Sequence, residues 1–171
     1  MRGVTFQRIY LAGPDVFRPD AAEHGRRAVA LCAEHGFEAV FPLESELPTG
    51  LAPQALARHI FQANIAHIVA CDAVLANLEF FRGPEPDSGT CFEVGYAVAL
   101  GKPVIGYVPE SGSFAERIRH RHPHAVGDGL FDAAGWQLEE FGLPLNLMLG
   151  VPCRIVVGGL GEALRALRAL S

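Results

Sequence analysis

The amino-acid sequence predicts an α/β protein in which a mainly parallel, five-stranded sheet carries helices on both faces. Short apolar runs alternate along the chain with longer segments of helical periodicity. The runs are apolar throughout, as expected of strands that are buried on both faces. No repeat or linker divides the 171 residues, so we expect a single domain over residues 1–171.

The N-terminal part of the chain carries two predicted strands and one helix. Residues 8–12 (RIYLA) form an apolar run that stops at the turn signal Gly13-Pro14-Asp15. A helix is predicted over about residues 19–35, because Gly36 then occupies the position after a helix end that favours left-handed geometry. Residues 37–41 are predicted as the second strand.

The middle of the chain repeats this alternation. After a loop over residues 43–52, Pro53 begins a long predicted helix that reaches about Ala70. Residues 73–78 are the third predicted strand, and a loop leads from them to a helix that carries Glu93 and ends at Gly101. Residues 103–108 are the fourth predicted strand.

The C-terminal part gives a weaker signal. Residues 120–129 are predicted as a turn-rich loop and residues 135–150 as partly helical. Residues 153–157 are the candidate fifth strand, which completes the sheet. Residues 160–170 are predicted as an amphipathic helix.

The charge balance argues against a protein that binds nucleic acids. Half of the residues are hydrophobic and 19% are charged, which is ordinary for a folded globular chain. The formal charge is −5, whereas binding to a phosphate backbone needs a basic surface. We therefore expect small-molecule partners and no nucleic-acid polymer.

The cysteines and the hydropathy pattern predict a cytoplasmic protein. Cys32, Cys71, Cys91 and Cys153 form no C-x-x-C pair and are expected to be small buried hydrophobes in a reducing compartment. No N-terminal apolar segment of a signal peptide is seen, and no stretch approaches the roughly 18 apolar residues of a membrane span. We expect no association with membranes.

Parallel sheets of this type bind ligands beyond the carboxyl ends of their strands, where the strand order reverses. The loop after the first strand (13–17) and the loop after the third strand (79–89) are expected to lie side by side there. Four charged side chains would then converge over one crevice: Asp15, Arg82, Asp87 and Glu93.

Glu93 has two interpretations. Residues 90–93 (TCFE) match the S/T-x-x-E capping box, in which the glutamate bonds the backbone N–H at its own helix start. Alternatively, Glu93 is a reagent, since the helix dipole keeps a carboxylate in a first turn ionised, as a nucleophile requires. Asp87 lies six residues earlier. Two such carboxylates can cleave a glycosidic bond, one by attacking the sugar and the other by assisting the leaving group.

Three polar residues each have a structural alternative to a functional role. Asp87 is also typical of a turn before Ser-Gly. Tyr10 is either a buried core tyrosine or a phenol that holds a catalytic carboxylate. Asn64, on a largely apolar helix, is either structural or a ligand contact, because a buried amide needs hydrogen-bond partners.

Motifs for metals and phosphates are not indicated. His120, His122 and His124 alternate around Pro123, but no carboxylate or cysteine cluster accompanies them, so we expect no metal site. The GGLGE segment at residues 158–162 lacks the context of a dinucleotide-binding loop. The sequence contains no Walker-type phosphate loop and no G-x-S-x-G elbow.

Three blocks of sequence together resemble the nucleoside 2-deoxyribosyltransferase family. They are RIYLAGPDVF (8–17), CDAVLANLEFFRGPEPDSGTCFEVGYAVALGKPV (71–104) and FGLPLNLMLG (141–150), in the order of the family. The resemblance implies a flavodoxin-like three-layer sandwich. It also implies an enzyme of nucleotide salvage that cleaves the N-glycosidic bond of 2′-deoxynucleosides and transfers the sugar to another nucleobase.

The resemblance implies three catalytic residues. The nucleophilic glutamate of the family falls on Glu93, and the acid of the same block falls on Asp87. The tyrosine that contacts the nucleophile falls on Tyr10. Glu93 would form a covalent 2-deoxyribosyl ester, which a second base or, slowly, water would attack. No metal or organic cofactor is needed for this double displacement.

The resemblance also implies substrate contacts. The N-x-M segment of the family, which can reach the site of a neighbouring subunit and touch the sugar 5′-hydroxyl, falls on Asn146 and Met148, so we expect at least a homodimer. Some members carry an aspartate that contacts the base, where this chain has Asn64. Further predicted contacts with the sugar or base are Asp15, Arg82 and Gly89.

Two alternative functions stay open. The first is an N-glycosidase of 2′-deoxynucleoside 5′-monophosphates on the same fold, although Asp15 in the first loop would repel a phosphate. The second is a non-catalytic nucleotide-sensing module, although the complete set of Tyr10, Asp87 and Glu93 argues for catalysis.

Overall fold

A computed structural model of the protein describes residues 6–43 and 48–170. Its centre is a five-stranded sheet with the strand order β2-β1-β3-β4-β5, in which every pair of neighbours is parallel. The strands are β1 (Arg8–Ala12), β2 (Glu38–Val40), β3 (Ala73–Asn77), β4 (Val104–Val108) and β5 (Arg154–Val157). The predicted α/β fold with a five-stranded parallel sheet is confirmed.

The helices form one layer on each face of the sheet. They are α1 (Ala21–Glu34), α2 (Pro53–Ala70), α3 (Ser88–Ala99), α4 (Phe114–Arg121), α5 (Leu147–Gly150) and α6 (Leu160–Arg168). Helices α1 and α6 pack on one face, where Ile9 and Leu11 of β1 are buried. Helices α2, α3 and α5 pack on the other face, together with Tyr10 and Ala12. Since successive side chains of a strand point to opposite faces, Tyr10 and Leu11 belong to different cores.

Most predicted elements lie where the sequence placed them. Helix α2 has the predicted bounds, whereas α1 begins at Ala21, because Asp20 rather than an earlier residue is its N-cap. Residues 14–17 form a 3₁₀ helix where the sequence indicated a turn. Within the predicted partly helical region 135–150, only α5 is helical. Residues 44–47 of the predicted loop 43–52 lie outside the described residues.

Helix α4 was not predicted, and it extends into the predicted loop 120–129. A capping box begins it: the Ser113 N–H donates to Glu116 Oε2 (2.8 Å), and the Glu116 N–H donates to Ser113 Oγ (3.3 Å). The S-x-x-E spacing of residues 113–116 was therefore a signal that could have predicted this helix. The Arg117 guanidinium is buried against the ring of Phe80, 4.5 Å from its centroid.

Gly25 explains how α1 can approach the end of the second strand. A Cβ atom at this position would lie 2.5 Å from the Phe41 ring, so that only glycine allows the helix to lie so close. Gly36, after the end of α1, has a φ of 82°, the left-handed geometry that its position predicted.

The prediction that cysteines are buried and unpaired holds for Cys32, Cys71 and Cys153, while the free Cys91 is half-buried. Within the described part of the chain, no helix combines the length and apolar character that crossing a bilayer requires.

Candidate active site

Glu93 lies on α3, where this helix faces β1. The Tyr10 hydroxyl donates a hydrogen bond to Glu93 Oε1 (2.7 Å), and Asn64 Nδ2 on α2 donates to the same oxygen (3.3 Å). Three elements that are far apart in sequence therefore meet at one carboxylate. Both donors bind Oε1, so these hydrogen bonds leave Oε2 uncontacted.

Asp87 begins the helix that carries Glu93. Its Oδ2 accepts hydrogen bonds from the Thr90 N–H (2.9 Å) and the Thr90 hydroxyl (3.0 Å), so Asp87 is the N-cap of α3. The predicted capping box at residues 90–93 is therefore wrong. Thr90 is a buried helical residue, and the helix begins three positions earlier than that box requires. The interpretation of Asp87 as a simple turn residue is also wrong, because its side chain caps α3.

The environment of Glu93 favours the protonated carboxyl. Burial raises the pKa of Glu93 to about 7, and the nearby charge of Asp87 acts in the same direction. The hydrogen bonds from Tyr10 and Asn64 oppose this shift of the pKa. The expectation that a first-turn helix dipole keeps Glu93 ionised is wrong, because Glu93 lies in the second turn of α3 and is partly buried.

Tyr10 is a buried core residue that also contacts the Glu93 carboxylate, and the catalytic role of this contact stays a prediction. The residue is completely buried in the core, and its hydroxyl also binds Glu93. Burial and the neighbouring Glu93 carboxylate both raise the pKa of Tyr10. Tyr10 therefore stays a hydrogen-bond donor and does not act as a base.

Asp15 does not join this cluster in the structure. Asn77 Nδ2, at the end of β3, donates to Asp15 Oδ2 (2.9 Å), and His24 Nε2 of α1 lies 3.4 Å from Asp15 Oδ1. The ends of β1 and β3 thus lie side by side as the topology predicted. The Asp15 carboxylate, however, contacts α1 rather than α3. A contact of Asp15 with a sugar or base stays a prediction.

Arg82 lies against aromatic rings of the two loops. Its guanidinium is 4.6 Å from the centroid of Phe81 and 5.2 Å from that of Phe17. Phe17 and Phe81 stack on each other with their centroids 5.4 Å apart, which joins the loops after β1 and β3. Arg82 itself has a φ of 58°, a left-handed conformation that is unusual for a residue with a side chain. Arg82 therefore packs between the loops after β1 and β3. A contact of Arg82 with a substrate stays a prediction.

The segment with Asn146 and Met148 begins α5. Asn146 Oδ1 accepts from the Met148 N–H (2.9 Å), and its Nδ2 donates to Glu139 Oε1 (2.8 Å). The other oxygen of Glu139 accepts from the Leu147 N–H (2.8 Å). The Asn146 amide is thus used within its own chain, whereas the Met148 side chain is 73% exposed. Gly89, in the first turn of α3, is so close to Asp87 that a Cβ would lie 3.1 Å from Asp87 Oδ2.

Sequence reasoning missed the polar partners of these residues. Asn77 is a buried polar residue at the end of an apolar strand, and that contrast could have marked it. Glu139, which fixes Asn146, carried no comparable signal. Within the described residues, no group of three or more His, Cys, Asp or Glu side chains is placed to hold a metal ion.

The raised pKa of Glu93 has a measurable effect on stability. Between the ordinary pKa of 4.5 and about 7, the folded protein keeps a proton that the unfolded chain releases, so the free energy of unfolding falls as pH rises. We expect Glu93→Gln to be more stable than the parent above pH 7, by on the order of 1–3 kcal/mol, and to gain little below the ordinary pKa. Urea unfolding of both proteins, above pH 7 and below the ordinary pKa of a glutamate, measures this difference in the free energy of unfolding.

Asp72→Asn is the matched control for this measurement. Hydrogen bonds from the Gln7 and Arg8 N–H groups (both 2.8 Å) lower the pKa of Asp72. Its removal is therefore expected to destabilise the protein at high pH, the opposite sign. A Glu93→Gln variant that is less stable than the parent above pH 7 would contradict the conclusion that burial disfavours the ionised Glu93 carboxylate.

Comparison with known proteins gives a consistent family match. A family model described as nucleoside 2-deoxyribosyltransferase matches residues 9–148. The solved structure of a 2-desoxiribosyltransferase from Leishmania mexicana is 34% identical, with a TM-score of 0.72 over 94% of this chain and 95% of that chain. A 2-deoxyribosyltransferase from Bacillus psychrosaccharolyticus is 27% identical, with a TM-score of 0.51 over 61% of this chain and 74% of that chain.

Two further relatives carry no named activity. A conserved protein from Enterococcus faecalis V583 has a TM-score of 0.63 over 96% of this chain and 99% of that chain, and at 22% identity it shares the fold. An uncharacterised protein of Schizosaccharomyces pombe is 34% identical over 125 residues, which are 71% of this chain. The match spans 59% of the length of that relative.

Proposed function

The chain belongs to the nucleoside 2-deoxyribosyltransferase family, and we propose that it is an enzyme that transfers 2-deoxyribose from a 2′-deoxynucleoside to another nucleobase. The observation that carries this proposal is the convergence of Tyr10 and Asn64 on Oε1 of Glu93. That arrangement fixes a partly buried carboxylate and leaves its second oxygen for attack on a sugar carbon. The two solved relatives named as deoxyribosyltransferases support the same reaction.

The first step breaks the bond between C1′ of the sugar and the base nitrogen. The electron pair of this bond moves to the base, which takes up a proton, while positive charge develops on the sugar ring. The ionised Glu93 carboxylate stabilises this charge. Its Oε2 then bonds to C1′ on the face opposite the leaving base and forms a 2-deoxyribosyl ester.

The second step reverses these roles with a different base. A nitrogen of the incoming base bonds to C1′, and the ester bond breaks to regenerate the Glu93 carboxylate. Two inversions at C1′ restore the original configuration, as in retaining glycosidases. Water in place of the base gives hydrolysis.

Asp87 supplies the proton in this proposal. Its Oδ2 is occupied by Thr90, so Oδ1 is the atom that takes up a proton from solvent and passes it to the leaving base, and that later accepts the proton of the incoming base. Tyr10 holds the rotamer of Glu93. Asn64 donates to Glu93 through Nδ2, and its carbonyl oxygen stays available for a hydrogen bond from the base.

A base-exchange assay tests the proposal. We expect incubation of one deoxynucleoside with a panel of free bases to produce new nucleosides with the original anomeric configuration, identified by chromatography and mass spectrometry. A parallel incubation uses the corresponding 5′-monophosphate. Base release from the monophosphate alone would instead indicate an N-glycosidase, and binding of deoxynucleosides without base release would indicate a sensing module.

We further propose that two copies of the chain associate through α2 and α3. Of the residues of α2 (Pro53–Ala70), Ile68 alone is fully buried, although the helix is largely apolar. Phe61 of α2 and Phe92 of α3 are each about half exposed, and their ring centroids are 5.9 Å apart. An apolar helix of this kind is normally covered. A second copy placed here would lie next to the Glu93 carboxylate, and Met148 is exposed enough to reach across to it.

Sedimentation measures this association directly. We expect the parent protein to be a dimer or larger, and Phe61→Glu to shift it toward the monomer, because a carboxylate would be buried in the contact. Phe131→Glu is the matched control, since Phe131 is similarly exposed but lies on the loop between α4 and α5. A monomeric parent, or an unchanged oligomer in Phe61→Glu, would contradict this interface.

A further inference from the structure

A cavity of about 310 Å³ lies on the opposite side of the sheet from Glu93. Its walls come from α1, from the start of α6 and from the ends of β1, β3 and β4. Leu11, Leu31, Phe41 and Leu160 supply its apolar surface. Leu11 and Phe41 belong to the core beneath α1 and α6, whereas Tyr10, which holds Glu93, belongs to the other core. The cavity is therefore separate from the candidate active site.

The polar end of this cavity is formed by Asp15. The Asp15 side chain is only 14% exposed, and its carboxylate is bound by Asn77 Nδ2 at 2.9 Å and faces His24 Nε2 at 3.4 Å. The guanidinium of Arg27, which also lines the cavity, forms ion pairs with Asp20 (3.2 Å) and Glu23 (3.4 Å). The cavity therefore offers a carboxylate acceptor beside the His24 imidazole, and its lining residues include no lysine and no arginine other than Arg27.

The start of α6 makes the same cavity unsuitable for anions. Gly159 lines it, but the Gly159 N–H already donates to Glu162 Oε2 (2.8 Å), which places a second carboxylate at this helix end. A phosphate would be repelled by the Asp15 carboxylate in the cavity wall and would find the Gly159 N–H already occupied. The glycine-rich GGLGE segment thus shapes a cavity wall rather than a phosphate loop.

The volume and polarity of the cavity indicate which class of ligand would fit. An apolar cavity of about 150 Å³ accommodates one benzene ring, so the volume here corresponds to about two fused rings. A sugar would leave several hydroxyl groups without partners against the apolar walls. We propose that this cavity is a second small-molecule site, which takes a neutral or cationic two-ring heteroaromatic compound whose N–H group donates to Asp15. This proposal does not depend on the proposed reaction at Glu93.

Nuclear magnetic resonance of the full ¹⁵N-labelled chain tests the site with benzimidazole as the probe. We expect saturable shifts of the Gly13 and Gly159 amide signals, because both glycines line the cavity. Gly89 and Gly95 on α3 report on the Glu93 side of the sheet. Asp15→Asn is expected to weaken binding about tenfold or more, since a neutral amide replaces a charged acceptor. Naphthalene, which has the two rings but no N–H donor, is expected to bind correspondingly more weakly.

Two further variants separate occupancy from indirect effects. Ala28→Phe places a ring into the cavity and is expected to abolish the shifts, whereas Asp72→Asn removes a carboxylate near the start of β3 and is expected to leave them unchanged. If Ala28→Phe does not fold, the Asp15→Asn and naphthalene comparisons still decide. Shifts confined to Gly89 and Gly95, the absence of saturation up to about 5 mM probe, or unchanged binding in Asp15→Asn would each overturn the proposal.

Discussion

The Glu93→Gln variant is expected to lose base exchange by at least about 10³-fold while it keeps the fold. A glutamine carbonyl can still accept the hydrogen bonds that Tyr10 and Asn64 give to Oε1, so the local packing is preserved. An uncharged amide, however, cannot stabilise the positive sugar ring and does not form the ester. The expected result is therefore a folded protein that binds deoxynucleosides and does not exchange their bases.

The measurement combines product analysis with detection of the ester. Chromatography of the exchange products gives the rate, and circular dichroism checks the fold. Mass spectrometry of the parent, quenched during turnover, is expected to find a 2-deoxyribosyl group on the peptide that contains Glu93. Glu34→Gln, at an exposed position of α1, is the matched control and is expected to exchange bases at the parent rate. Exchange at the parent rate in Glu93→Gln would make Glu93 a structural partner of Tyr10.

The rate of base exchange is expected to fall steeply with acidity. Burial raises the pKa of Glu93 to about 7, and the nucleophile must be ionised. Below this value, kcat/KM should drop about tenfold for each pH unit, which gives about a 100-fold loss near pH 5 relative to the plateau above neutrality. The profile is measured with a donor and an acceptor base that do not titrate in this range.

Tyr10→Phe tests whether this pH dependence belongs to Glu93. The Tyr10 hydrogen bond stabilises the ionised carboxylate, so its removal should raise the pKa of Glu93 further and move the acidic limb to higher pH. A purely structural effect of this substitution would lower the rate at every pH without moving the limb. A parent profile that is flat from acidic to neutral pH would contradict Glu93 as the nucleophile.

The fold was predictable because its strands are buried on both faces. Continuous apolar runs such as that of β3 have few alternatives to a parallel sheet covered by helices. Helix α4 escaped because it is short and mostly polar, and only the Ser113–Glu116 capping box marked it. Short helices of this kind are stabilised by tertiary contacts, here the burial of Arg117 against Phe80, which the local sequence does not reveal.

The candidate site was predictable only in part, and two physical reasons account for what the sequence did not reveal. Asp87 and Thr90 are both suitable N-cap residues, and the local pattern cannot decide between them, so the predicted capping box began three residues too late. Topology brings Asp15 to the correct edge of the sheet but does not specify a face. The structure directs Asp15 toward His24 and α1, while Glu93 faces Tyr10 from the other side.

The Tyr10–Glu93 hydrogen bond joins residues that are 83 positions apart, from the first strand to the third helix. During synthesis, the partner of Tyr10 emerges from the ribosome long after β1, and the carboxyl group has an ordinary acidity until α3 docks. The raised pKa of Glu93 is therefore acquired only when α3 packs against β1 and position 93 becomes buried. A loosened chain that keeps its helices but not this packing would return Glu93 to an ordinary acidity, so the pKa of this one carboxyl reports on the integrity of the tertiary fold.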